Sequence, residues 1–71
     1  MKKEYLVKNV TMVRMVNFLN ETFGKKKSGE SFTIWDVQGY CRRGNLPKYM
    51  GGSLIQNHER SGVNFYSILK K

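Results

Sequence analysis

Leu46-Pro47-Lys48-Tyr49-Met50-Gly51-Gly52-Ser53-Leu54-Ile55-Gln56-Asn57-His58-Glu59-Arg60 is the stretch on which the fold turns. At 100° per residue it predicts a helix over 47–60, with Pro47, Met50, Gly51, Leu54, Ile55 and His58 on one side. Tyr49, Gly52, Ser53, Gln56 and Arg60 fall on the other. Pro47 suits a first helical position, where its missing N–H would be unpaired anyway. The glycine pair opposes a helix by roughly 2 kcal/mol relative to alanines; an inward-facing Gly51 is explained if two helices cross closely there. The helix is expected to fray near Asn57–Arg60, ahead of Ser61-Gly62. An alternative reading extends Gln56–Arg60 and pairs it across that turn with Val63–Leu69, which is rich in β-branched and aromatic residues and reads as a strand.

Upstream, Thr33-Ile34-Trp35-Asp36 opens a helix. The Thr33 hydroxyl can cap the backbone N–H three residues on while Asp36 reaches back. Ile34, Val37, Tyr40 and Cys41 share its inner face, Arg42 and Arg43 suit the dipole in its last turn, and Gly44 stops it. Trp35 projects away from that inner face. The segment from Asn9 to Phe23 reads as an amphipathic helix, capped by Asn9 and ended by Gly24. Met12, Met15, Val16, Leu19 and Phe23 form its core face and Arg14, Asn17 and Glu21 lie opposite. Ser31-Phe32 reads as a very short strand, and residues 1–8 as a strand or basic arm preceding a single domain over 9–71.

The chain has 71 residues, one Cys, one His and one Pro, and a net charge of +8. That length supports one small core. No uncharged stretch approaches the roughly 20 residues of a membrane span. Charges at Lys2, Lys3, Glu4 and Lys8 leave no signal-peptide apolar run, so a cytoplasmic protein without membrane contact is expected. A lone Cys41 makes no internal disulfide, and with His58 alone completes no zinc site; no metal or cofactor is implied. Residues 37–71 hold six bases against Glu59 alone. A half-chain so depleted of acids fits a polyanionic partner.

Two helices joined by Arg42-Arg43-Gly44-Asn45-Leu46-Pro47, followed by a strand, match the order of a helix-turn-helix with a wing. Phe32-Thr33-x-x-Asp36-Val37, Leu46-Pro47-x-x-Met50-Gly51 and Gly62 before Val63-Asn64-Phe65-Tyr66 resemble the small winged helix-turn-helix proteins of bacteriophage, over roughly residues 9–71. The chain departs from that family in leaving little sequence for a first wing strand. The resemblance implies a mainly α fold with a small β component: three helices and a C-terminal strand or short hairpin. It implies a transcription regulator or recombination accessory factor that binds double-stranded DNA, in the host cytoplasm or nucleoid if phage-encoded. The third helix would enter the major groove, presenting Lys48, Tyr49, Gly52, Ser53, Gln56 and Asn57, with Gln56 and Asn57 able to read adenine. Arg42, Arg43, Arg60 and the run Lys25, Lys26 and Lys27 would hold phosphates. A homodimer or cooperative oligomer on DNA is expected from the small size.

Catalysis is not indicated. Cys41 lies on a core face, where a thiol stays protonated, and the five acids are scattered. The competing reading is a protein-binding module, of the kind that docks on and modulates a host enzyme, with Trp35 as its anchor.

Overall fold

The computed structural model describes residues 5–70 of the chain; residues 1–4 of the expected N-terminal arm lie outside the described residues. The elements run β1 (Tyr5–Val10), α1 (Met12–Phe23), α2 (Ile34–Arg43), a single 3-10 turn (Lys48–Met50), β2 (Leu54–Arg60) and β3 (Val63–Leu69). The strands form one antiparallel sheet in the order β1-β3-β2, and both helices pack on the same face of it. The architecture is therefore α+β, with two helices and a three-stranded sheet, in place of the mainly α three-helix fold expected from the sequence.

The departure from a third helix originates at Gly51 and Gly52. Their φ angles are +101° and +64°, on the left-handed side that interrupts a right-handed helix. Only the 3-10 turn forms before them, with the Met50 N–H donating to the Pro47 carbonyl at 2.9 Å and that of Gly51 to Lys48 at 2.9 Å. The chain then folds back, and the Leu46 N–H donates to the Ser53 carbonyl at 2.7 Å. From Leu54 onward it is extended and pairs with β3 without a break, from Leu54–Leu69 to Arg60–Val63. Ser61 and Gly62, both at positive φ, make the hairpin turn. The helix of residues 47–60 does not exist, and the hairpin's first strand takes its place.

The two helices follow the apolar spacing. Thr11, not Asn9, caps α1; Asn9 belongs to β1. Met15 and Leu19 are fully buried, with Met12, Val16, Phe18 and Phe23 packed around them. The Thr33–Asp36 capping box forms, with the Thr33 N–H donating to Asp36 Oδ2 at 2.8 Å. Val37 and Tyr40 are buried, whereas Ile34, expected inside, is exposed. Asn20 clamps the intervening loop by accepting from the Phe32 N–H at 2.7 Å and donating to its carbonyl at 3.2 Å. Within that loop, Ser31 bridges to Lys25. Ile55, Tyr66 and Ile68 close the core from the sheet. Among the described residues, no helix is long and apolar enough to cross a membrane.

Gly51 has open space around its α-carbon, so Gly51→Ala isolates the backbone effect. In this left-handed conformation the substitution is expected to destabilise the protein by about 1–2 kcal/mol in urea unfolding. A helical 47–60 segment would instead gain about 1 kcal/mol.

Candidate nucleic-acid interface

The 3.6-residue period of α2 turns Val37 and Tyr40 inward and sets Trp35, Gln38 and Arg42 along its outer side. All three are exposed, Trp35 to 72%. Strand parity does the complementary work on the hairpin. Residues facing each other across an antiparallel pair share a face, so the pairs Ile55–Ile68, Asn57–Tyr66 and Glu59–Asn64 point toward the helices. A shallow groove of about 280 Å³ results, lined by Gln38, Cys41 and Arg42 from α2 and by Asn57, Asn64 and Tyr66 from the hairpin. Its three carboxamides offer paired donors and acceptors, and Arg42 supplies charge.

Arg43 turns to the other side of the helix end. Its guanidinium stacks 5.2 Å from the Tyr40 ring centroid, and it lines a depression with Asn45, Leu46, Pro47 and Lys48. Tyr49, on the same turn as Lys48, accepts a hydrogen bond from the Lys27 N–H at 3.4 Å. Three separate segments thus bring Lys27, Arg43, Lys48 and Tyr49 to one end of the molecule. Because Arg42 and Arg43 are consecutive, this basic end is continuous with the carboxamide groove.

The charges here are uncompensated. Glu30 and Asp36 are both held by Lys26, whose Nζ lies 3.5 Å from Glu30 Oε2 and 3.3 Å from Asp36 Oδ2. The hydrogen bond to Asp36, with the charges of Asp36 and Glu30, raises the Lys26 pKa above its ordinary value despite partial desolvation. No other ion pair forms among the described residues, so Arg42, Arg43 and Lys48 face none of them. Glu59 is the single acid pointing to the groove side of the hairpin.

The residues expected on a recognition helix are dispersed. Lys48 and Tyr49 sit on the 3-10 turn, Gly52 is buried, and Ser53 is half-buried with its carbonyl engaged. Asn57 joins the groove, but Gln56 points to the opposite face of the sheet, where it bonds to Tyr5. Arg60 pairs with Val63 on that opposite face as well, apart from Arg42. Of the lysine run, Lys26 is committed to acids while Lys25 and Lys27 are exposed. The sequence reading missed Gln38, Asn45 and Asn64; the i, i+3, i+7 spacing of Trp35, Gln38 and Arg42 held the signal for the first of these.

Cys41 and His58 both border a depression with Gly44, Leu54 and Gln56, but the His58 ring is engaged by Ser67. Burial pushes the Cys41 thiol up to about 11, and His58 Nε2 lies 2.7 Å from Ser67 Oγ. Burial, followed by the nearby Tyr49 and Asp36, raises the Tyr40 phenol to about 12.

No protein-family model, curated protein or solved structure matches the chain.

At pH 8 the folded protein should alkylate at Cys41 about a hundredfold more slowly than the urea-unfolded chain, because its thiolate fraction is lower by the difference between about 11 and the ordinary 9. The folded value is the higher one, so the thiol's contribution to stability is complete below pH 9 and declines as pH rises through about 11. Equal alkylation rates in the two states would contradict this burial.

Proposed function

We propose that the protein is a small double-stranded DNA-binding protein, of the regulator or recombination-accessory kind, that docks through α2 and the adjoining hairpin. The carrying observation is the unbalanced cluster of Arg42, Arg43 and Lys48, contiguous with a groove lined by Gln38, Asn57 and Asn64. The ten residues of α2 make a rod about 15 Å long, and a major groove about 12 Å wide admits one helix. In this pose Arg42, Arg43, Lys48 and Lys27 meet phosphates and set the register. Gln38, with Asn57 beside it, meets base edges; a carboxamide recognises adenine by accepting from N6–H through its oxygen and donating to N7 through its NH2. Lys48 and Asn57 take part from the 3-10 turn and β2, not from a recognition helix over residues 47–60.

A module of this size covers a limited length of duplex, so the reading includes a dimer or a cooperative array on DNA. Exposed Trp35 favours a second reading, in which the same outer side of α2 docks on a host protein, since Trp is favoured at the centre of such interfaces. The salt dependence of duplex binding separates the two.

Four phosphate contacts predict a log–log salt slope of roughly −3 to −4 in duplex titrations. Arg42→Ala should weaken every duplex sequence alike and reduce that slope by about 1. Gln38→Ala should leave the slope in place and relax preference at one base pair by about 1–3 kcal/mol. Weak duplex binding that is indifferent to salt contradicts the proposal.

A further inference from the structure

The face of the sheet away from the helices has no element packed on it among the described residues. Its residues follow from the register: Leu54, Gln56, His58 and Arg60 from β2, and Val63, Phe65, Ser67 and Leu69 from β3. Tyr5 joins them from β1, because an irregularity between Tyr5 and Val7 sets Tyr5 opposite Leu69 while Val7 stands opposite Ile68, which is in the core.

Tyr5 does something unusual there. Its hydroxyl donates to Gln56 Oε1 at 3.1 Å, although β1 and β2 are the two outer strands and β3 runs between them. Outer strands of a three-stranded sheet are roughly 10 Å apart, so the side chain must lie across β3 to make this bond. On this face Ser67 and Leu69 are only 1% and 3% exposed; Leu69 stands opposite Tyr5, and the Ser67 hydroxyl lies 2.7 Å from His58 Nε2. The Tyr5 side chain is half-buried, so part of it stays accessible. Lys8 Nζ lies 5.3 Å from the Tyr5 ring centroid, and the His58 ring meets Tyr5 edge-on at 6.0 Å. Phe65 pairs with His58 alongside. Lys8 stands over Tyr5 and Arg60 at the far end of the face, and none of the register positions on this face is an acid.

We propose that this face binds single-stranded nucleic acid, with an unpaired base stacked on the Tyr5 ring and with Lys8 and Arg60 holding phosphates. A ring held at its hydroxyl loses little freedom when a base stacks on it, and stacking tolerates any base. On binding, the Lys8 ammonium exchanges the ring face for a phosphate, where charge attraction is stronger than its cation–π contact. The surface lies on the other side of the sheet from the carboxamide groove, so this inference does not rest on the duplex reading.

The test uses the full chain with fluorescently labelled oligo(dT) and oligo(rU) at low salt, and a labelled duplex as the comparison. Binding of either oligomer is expected, and tighter dT or tighter rU names the source as DNA or RNA. Tyr5→Phe keeps the ring and is expected to bind within about threefold of the unaltered protein, while Tyr5→Ala loses about tenfold or more. Both variants are expected to bind duplex within about twofold of the unaltered protein. Photocrosslinking of an iodouracil-substituted oligomer to the unaltered protein needs no variant to fold, and is expected at Tyr5 or His58. The proposal is overturned if neither oligomer binds, if Tyr5→Ala matches the unaltered protein, if single-strand and duplex binding fall equally, or if crosslinks map to α2 alone. A Tyr5-dependent dimer that excludes the oligomers would overturn it too, assigning the face to a second copy of the chain.

Discussion

The left-handed backbone at Gly51 and Gly52 is the constraint on which the rest of the structure depends. It ends the 3-10 turn after Met50, folds the chain so that Leu46 bonds to Ser53, and releases Leu54 in an extended state. Everything downstream follows from that release. β2 can then pair along its whole length with β3, and β3 becomes the central strand between β1 and β2. The same fold-back buries Leu46 and Met50 beneath the helices and leaves Lys48 and Tyr49 on the surface.

Two chemically distinct surfaces result from a sheet with helices on one side only. On the helix side, Arg42 and Arg43 at the end of α2 gather with Lys48 of the 3-10 turn, while Lys26 holds Glu30 and Asp36. Positive charge is thereby concentrated where the hairpin contributes Asn57 and Asn64. On the opposite side, Tyr5, Gln56, His58 and Ser67 satisfy one another's polar atoms across three strands, which lets a half-covered sheet face water without an unpaired buried group. Strand parity divides residues that are adjacent in sequence between these surfaces, Gln56 to one and Asn57 to the other.

Both long helices were legible because their apolar residues recur at three- and four-residue steps and their ends carry Thr33, Asp36, Gly24 and Gly44. The third was misread because Met50, Leu54 and His58 fit a helical period even though Met50 closes a turn and Ile55 alone of β2 enters the core deeply. Two signals pointed the other way: the unfavourable glycine pair, and Ser61-Gly62 set between two segments able to pair. β1 reads poorly because its irregular pairing with β3 breaks the alternation that marks a strand. For the interface, the basic residues at the end of α2 were legible from charge, whereas Asn64 was not, because its partners across the groove come from a helix some twenty residues earlier.

The most direct measurement of the central claim is an amide chemical-shift map of the isotopically labelled protein titrated with a short duplex. The shifts are expected to concentrate on Gln38, Arg42, Arg43, Lys48, Asn57 and Asn64, with α1 left unmoved. A response confined to α1, or none at all at saturating duplex, would contradict it.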